Sequence, residues 1–237
     1  MNHWHMADFP QSSTGLRAQV FLAAAASEGG SSAVVALRQL LTEARISLWE
    51  CPRPWPPHLD AEATVSRATE ACDNYLLVLS PQALADACCL QGLLFALSLN
   101  KRILPVLVAS VPLSHRPEPL QALEVLDLRT ISQPLDQSSP GRQLLAALGH
   151  QADYHHHHTE LLLKALQWER QQRDPELLLA GADLAHYQRW WMVAQARSHH
   201  GPLQLQNLYL AESRRLWASR SDVIAQGVDW LKRWLDA

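Results

Sequence analysis

Two apolar runs, NYLLVLS (74–80) and RILPVLV (102–108), show no alternation of polar and apolar side chains, and between them no charge occurs from Ala87 to Asn100. A strand with one wet face alternates. A strand covered on both faces does not, and unbroken runs of this kind belong to parallel sheets sandwiched between helices. The uncharged stretch sets Leu90, Leu93, Leu94 and Leu97 at helical spacing. It falls short of the roughly 20 apolar residues that a membrane span needs, and Lys101-Arg102 ends it. The three pieces read as strand, buried helix and strand, one crossover unit of an α/β domain.

The same alternation extends to both sides. AQVFLA (18–23) and ISLW (46–49) read as strands, with a helix over 31–44 between them, capped by Ser31 or Ser32. ECPRPWPPH (50–58) holds four prolines in nine residues and must be a loop. A helix follows over 60–72. Ser80-Pro81 reads as the cap and first turn of the uncharged helix, and EVLDLR (124–129) is a last short strand. Five strands with short crossovers predict a flavodoxin-like five-stranded parallel sheet of order 2-1-3-4-5, with ligand-binding loops at the carboxyl ends of the strands. The pattern divides the chain into a tail (1–17), an α/β domain (18–130), a polar linker (131–140) and an all-α region (141–237) expected to dock another protein. That region holds Trp168, Trp190, Trp191, Trp217, Trp230 and Trp234, and its last helix carries Ile224, Val228, Leu231 and Leu235 on one stripe.

Several function classes fall away. A net charge of -3 leaves no basic footprint for nucleic acid, and no segment predicts a membrane span or a signal peptide. Cys51, Cys72, Cys88 and Cys89 lack zinc-ribbon or disulfide-framework spacing, which predicts reduced thiols and a cytoplasmic setting. GGSS (29–32) before a helix reads as a loop and cap, since no glycine-rich phosphate motif accompanies it. In YHHHHTE (154–160), His155 and His158 share one helix face and could chelate a metal, but the bland reading is a solvated start of a helix. Among the acids, Asp60, Asp73, Glu124 and Asp127 pair with nothing recognisable, whereas Glu28 and Glu50 each follow a strand's carboxyl end.

The order of these pieces resembles a TIR domain of the bacterial kind. The residues that carry the resemblance are VFLAAAASE (20–28), ISLWE (46–50), EACDNYLLVLSPQAL (70–84), the helix and strand running into NKRILPVLV (100–108), and LDLR (126–129). HTELLLKALQWERQQRDPELLLAGADL (158–184) and PLQLQNLYLAESRR (202–215) resemble the helical segment that follows TIR domains in bacterial proteins with a further nSTAND or WD40 module.

The resemblance implies an NAD-cleaving site and also its loss. NAD-cleaving TIR domains carry a glutamate on the helix after strand three, and the matching position here is Gly92. The family's Ser-Tyr-Ser after strand one is matched by Ala23-Ala24-Ala25, and the nearest acid after strand two is Glu50. A carboxylate beside the ribose stabilises the oxocarbenium-like state of glycosidic cleavage, and glycine supplies neither charge nor hydrogen bond. The expectation is a non-catalytic interaction module of a bacterial defence or signalling complex, without cofactor. It would bind another subunit or itself through Pro54, Trp55 and Pro56 and through Trp190, Trp191, Trp230 and Trp234. Two rivals remain: an NAD hydrolase using Glu28 or Glu50, and a sensor that binds an NAD-like nucleotide at Ala24, Ser27, Glu28 and Glu50 without turnover.

Overall fold

The computed structural model describes residues 20–130 and 134–235, with side chains as far as residue 220. Strands β1 (Val20–Ala23), β2 (Leu48–Trp49), β3 (Asn74–Leu79), β4 (Arg102–Leu107) and β5 (Leu126–Asp127) form one sheet. Every neighbouring pair is parallel and the order is 2-1-3-4-5, as the strand pattern implies. The register sets Val20 opposite Asn74, and Asn74 opposite Arg102. Successive side chains point to opposite faces, so β3 feeds two cores at once. Tyr75, Leu77 and Leu79 pack with Phe21, Val65 and Leu93 under α2 (Ala61–Ala71) and α3 (Ala87–Ser98). Leu76 and Val78 pack with Val34, Leu37 and Leu41 of α1 (Ser32–Glu43) on the other face. A four-residue helix, α4 (Glu118–Gln121), precedes β5.

Local caps set the helix starts. The Ser31 hydroxyl accepts from the Val34 amide (3.4 Å), and the Asp60 carboxylate from those of Glu62 and Ala63 (3.0 and 3.2 Å). Ser80 does not cap α3. Its hydroxyl accepts from Ala83 N (3.0 Å) and starts a single tight turn over 83–85, after which Asp86 caps α3. A carboxylate outbids the serine because two amides reach it at once and it meets the positive helix end.

The expected linker is partly structured: Leu135 joins the sheet's core, and Ser138 caps α5 (Ser139–Gly149), which covers the same face as α1. Gln151, in left-handed conformation (φ 54°), then turns the chain into α6 (Ala152–Arg170). The histidine run is therefore not a solvated start. His155 and His158 are buried in the first turns of α6, where their rings meet His200 and Trp190. Helices α7 (Gly181–Ala194) and α8 (Gln204–Leu235) complete a third core around Leu161, Trp168, Tyr187, Trp190 and Tyr209. The expected terminal-helix stripe, Ile224 to Leu235, lies outside the described side chains.

A polar seam joins α6 to the sheet domain. Lys101, at the foot of β4 and 4% exposed, donates from Nζ to Glu70 O and Thr159 Oγ1, both at 2.9 Å. Arg170 donates to both Glu70 carboxylate oxygens (2.7 and 2.9 Å), and His156 Nδ1 sits 3.3 Å from Asp73 Oδ2. Burial pushes the Lys101 ammonium down to about 8 from its ordinary 10.5, and nearby Asp73 only partly offsets this.

A folded-state value below the unfolded one means that the unfolded chain binds more protons between the two. The cost of burying the charge is therefore full below pH 8 and is relieved as pH rises towards 10.5. Wild type should gain about 3 kcal/mol relative to Lys101→Met across that window. Paired urea unfolding curves from pH 7 to 10.5 would read this directly; a constant difference would contradict it.

Candidate functional site

Doubly wound sheets bind ligands at the carboxyl ends of their strands, and the loops after β1, β2 and β3 meet there around Asp86. Its carboxylate accepts from Cys88 N and Cys89 N (2.9 and 3.2 Å), from Ala26 N in the turn after β1 (3.2 Å), and from Arg53 Nη2 in the loop after β2 (2.9 and 3.1 Å). Burial alone would push the Asp86 carboxyl up. The Ala26 and Cys89 amides and the Arg53 guanidinium outweigh it, and the group lies below the usual carboxylate range.

Both acids expected at the strand ends are engaged. Glu28 accepts from the buried Ser80 hydroxyl at 2.7 Å. Glu50 takes a two-pronged bond from Arg38 (2.7 and 2.8 Å), whose third contact is Gly29 O (2.5 Å). The Glu50 contact raises the Arg38 pKa. Ala24 is half-buried and Ser27 exposed on the same rim. Arg38, Arg53 and Asp86 are not singled out by the sequence, and Ser80 reads there only as a helix cap. For Asp86 a signal existed: an aspartate directly before ACCLQGLL has the form of an N-cap.

Gly92 lies on the face of α3 that presses on β3. A Cβ built there would come within 2.8 Å of Tyr75 Oη and 2.9 Å of its Cε2. Tyr75 cannot easily give way: it is 1% exposed, and its hydroxyl donates to Cys89 O at 2.6 Å. Burial holds its phenol well above the ordinary value, so it stays a neutral donor.

The expected partner-binding aromatics are less exposed than their composition suggests. Trp55 packs against the core under α2 and α3, and its indole donates to Leu59 O (3.2 Å). Pro54, after a cis bond from Arg53, is exposed, and Pro56 is half-buried. Trp190 is buried, stacks on Tyr154 at 5.4 Å and donates to Tyr154 O. Trp191 donates to Asn207 Oδ1 (2.7 Å) beneath Arg214. Both belong to the core that α6, α7 and α8 share. The Trp230 and Trp234 side chains lie outside the described residues.

Burial drives His155 and His158 down to about 3. Among the described residues no group of three or more His, Cys, Asp or Glu side chains is placed to hold a metal ion. The expectation of four thiols is corrected as well: Cys51, after β2, and Cys88, in the first turn of α3, are joined as a disulfide with Cα atoms 6.8 Å apart. Only Cys72 and Cys89 are free and buried, and burial pushes both thiols up to about 12. A pair 37 residues apart in sequence leaves no spacing signal.

A parallel sheet of this order, with its loops gathered over β1 and β3, defines a doubly wound α/β domain. A family model for the TIR domain matches residues 20–145, just over half of the sequence, and the chain belongs to the TIR family. TIR domains serve as signalling or adaptor modules and act through protein–protein contacts. Among solved structures, the chain is similar to the TIR domain of the Toll-related receptor TRR-2 from Hydra magnipapillata. Identity there is 21%, over 47% of this chain and 84% of that one, with TM-score 0.40. It is also similar to a metazoan TIR-STING receptor from C. gigas solved with 2',3'-cGAMP. There identity is 18%, over 70% of this chain and 56% of that one, with TM-score 0.42. At these identities the likeness does not extend to residues or activity. No curated protein matches. Among the described residues no helix is long and apolar enough to cross a membrane.

Replacing Asp86 removes the cap of α3, the anchor of the turn after β1 and the partner of Arg53 together. Asp86→Ala should lose about 2 kcal/mol of stability in urea unfolding. Arg53→Ala, which breaks only a partly exposed pair, should lose under about 1 kcal/mol.

Proposed function

We propose that this chain is a non-catalytic TIR module that works by holding other proteins, with the loop after β2 as its contact face. The observation that carries this reading is the packing at Gly92. The position matching the family's glutamate has no room for a side chain of any kind, because the Tyr75 ring occupies it. Glycosidic cleavage of NAD needs a carboxylate free to approach the ribose. Glu28 and Glu50 are instead committed to Ser80 and Arg38. The loop itself suits recognition. It is held at Arg53 and Cys51, stiffened by its prolines, supported from beneath by Trp55, and it presents Pro54, Pro57 and His58 to solvent. A preordered loop loses little entropy on binding. The bacterial defence or signalling setting that the sequence resemblance implies belongs to the same proposal.

The test is NAD consumption by the full chain at high concentration with a crowding agent, read as nicotinamide by mass spectrometry. No release is expected. Release abolished by Glu28→Ala or Glu50→Ala would overturn the reading in favour of a hydrolase with displaced acids. A thermal shift with NAD but no release would favour a sensor. Restoring the acid should not restore chemistry. Gly92→Glu and Gly92→Ala should both lose about 1–3 kcal/mol of stability through overpacking against Tyr75, and Gly92→Glu should release no nicotinamide.

A further inference from the structure

We propose that Cys51 and Cys88 are a reversible redox site, a dithiol–disulfide pair that locks the loop after β2 onto α3 and responds to small-molecule thiols and disulfides. Its significance for partner contact rests on the reading of that loop given above, but the site itself does not. Three observations converge on it. The first is position: Cys51 is the second residue after β2, Cys88 lies in the first turn of α3, and their sulfurs are bonded. The second is access. Both are half-buried, within reach of a small reagent, whereas Cys72 and Cys89 are buried. The third is what the bond closes. Between Cys51 and α2 the loop is held to the body by the Arg53–Asp86 ion pair and the seat of Trp55. An ion pair with its arginine 41% exposed contributes little alone. The sulfur bridge is therefore the strongest tie between this loop and the helix beside it.

The chemistry balances with a low-molecular-weight disulfide as oxidant. The Cys88 thiolate attacks one sulfur of the oxidant and expels one thiolate. The Cys51 thiolate then attacks Cys88 Sγ in the mixed disulfide and expels the second. Two electrons pass from the protein thiols to the oxidant, and the two protons the cysteines lose go to the departing thiolates. An excess of the small thiol runs the steps backwards. Reduction leaves the pairing of β1 with β2 and β3 in place, since neither cysteine lies in a strand, but frees the loop to move about Arg53 and Trp55.

The experiment equilibrates the full chain over a range of reduced to oxidised glutathione, quenches it with acid, alkylates it and maps each cysteine by mass spectrometry. Hydrogen exchange of residues 50–60 is followed in parallel. The expected result is that Cys51 and Cys88 change together with one two-electron midpoint while Cys72 and Cys89 stay thiols throughout. Loop amides should exchange roughly tenfold faster after reduction. Cys51→Ser should show the fast exchange at every ratio. Separate alkylation of Cys51 and Cys88 at all ratios would overturn the proposal. So would a bridge that survives excess dithiothreitol in the folded protein, or pairing that leaves loop exchange unchanged. His58→Ala, at an exposed position of the same loop, separates the two readings: it should weaken partner capture or self-association while leaving the cysteine midpoint in place. A redox pair that titrates as expected in a protein that binds nothing would sink the interaction reading alone.

Discussion

The carboxylate of Asp86 is the one group to which three separate loops at the carboxyl edge of the sheet are tied. Backbone turns at strand ends leave amides without partners, and a buried amide without an acceptor costs as much as a lost hydrogen bond. Asp86 answers this for the turn after β1 and for the start of α3, and its charge draws in Arg53 from the loop after β2. The charge can remain in a half-buried place because every lone pair faces an N–H. Arg38 and Ser80 do the same for the neighbouring acids, so the rim is a set of matched polar pairs.

Tyr75 and Gly92 make the complementary point inside the domain. A tyrosine in the central strand is too long for the space between strand and helix unless one helical position lacks a side chain, and the glycine supplies that gap. The hydroxyl ends on a carbonyl of the same helix, so the pair packs like a core contact and closes like a hydrogen bond. A glycine in mid-helix is otherwise unfavourable by about 1 kcal/mol, which the ring packed over it offsets.

Much of this fold was legible because it is written in local patterns. The strand order follows from unbroken apolar runs and short crossovers, and the caps Ser31 and Asp60 stand at the positions where helix starts favour such side chains. What stayed hidden depends on residues far apart in the chain. Ser80-Pro81 has the look of a helix start, and only the packing of the turn over 83–85 hands that role to Asp86. YHHHHTE looks solvated because histidine is polar, yet α6 buries His155 beside His200 and His158 beside Trp190. The tryptophans of the all-α region look like anchors for a partner, but Trp190 and Trp191 find their indole acceptors within that region. Cys51 and Cys88 carry no signal at all until β2 and α3 are side by side.

The buried ammonium of Lys101 bears on where this domain stops. Residue 145 closes the stretch that matches the family, yet Thr159, which accepts from that ammonium, and Arg170, which pairs with Glu70, lie beyond it. A fragment cut at the family boundary would bare a lysine at the root of a central strand, along with the side of α2 that α6 covers. The stretch that matches the family is thus narrower than the set of elements packed on this domain, and α6 serves this chain as part of its wall.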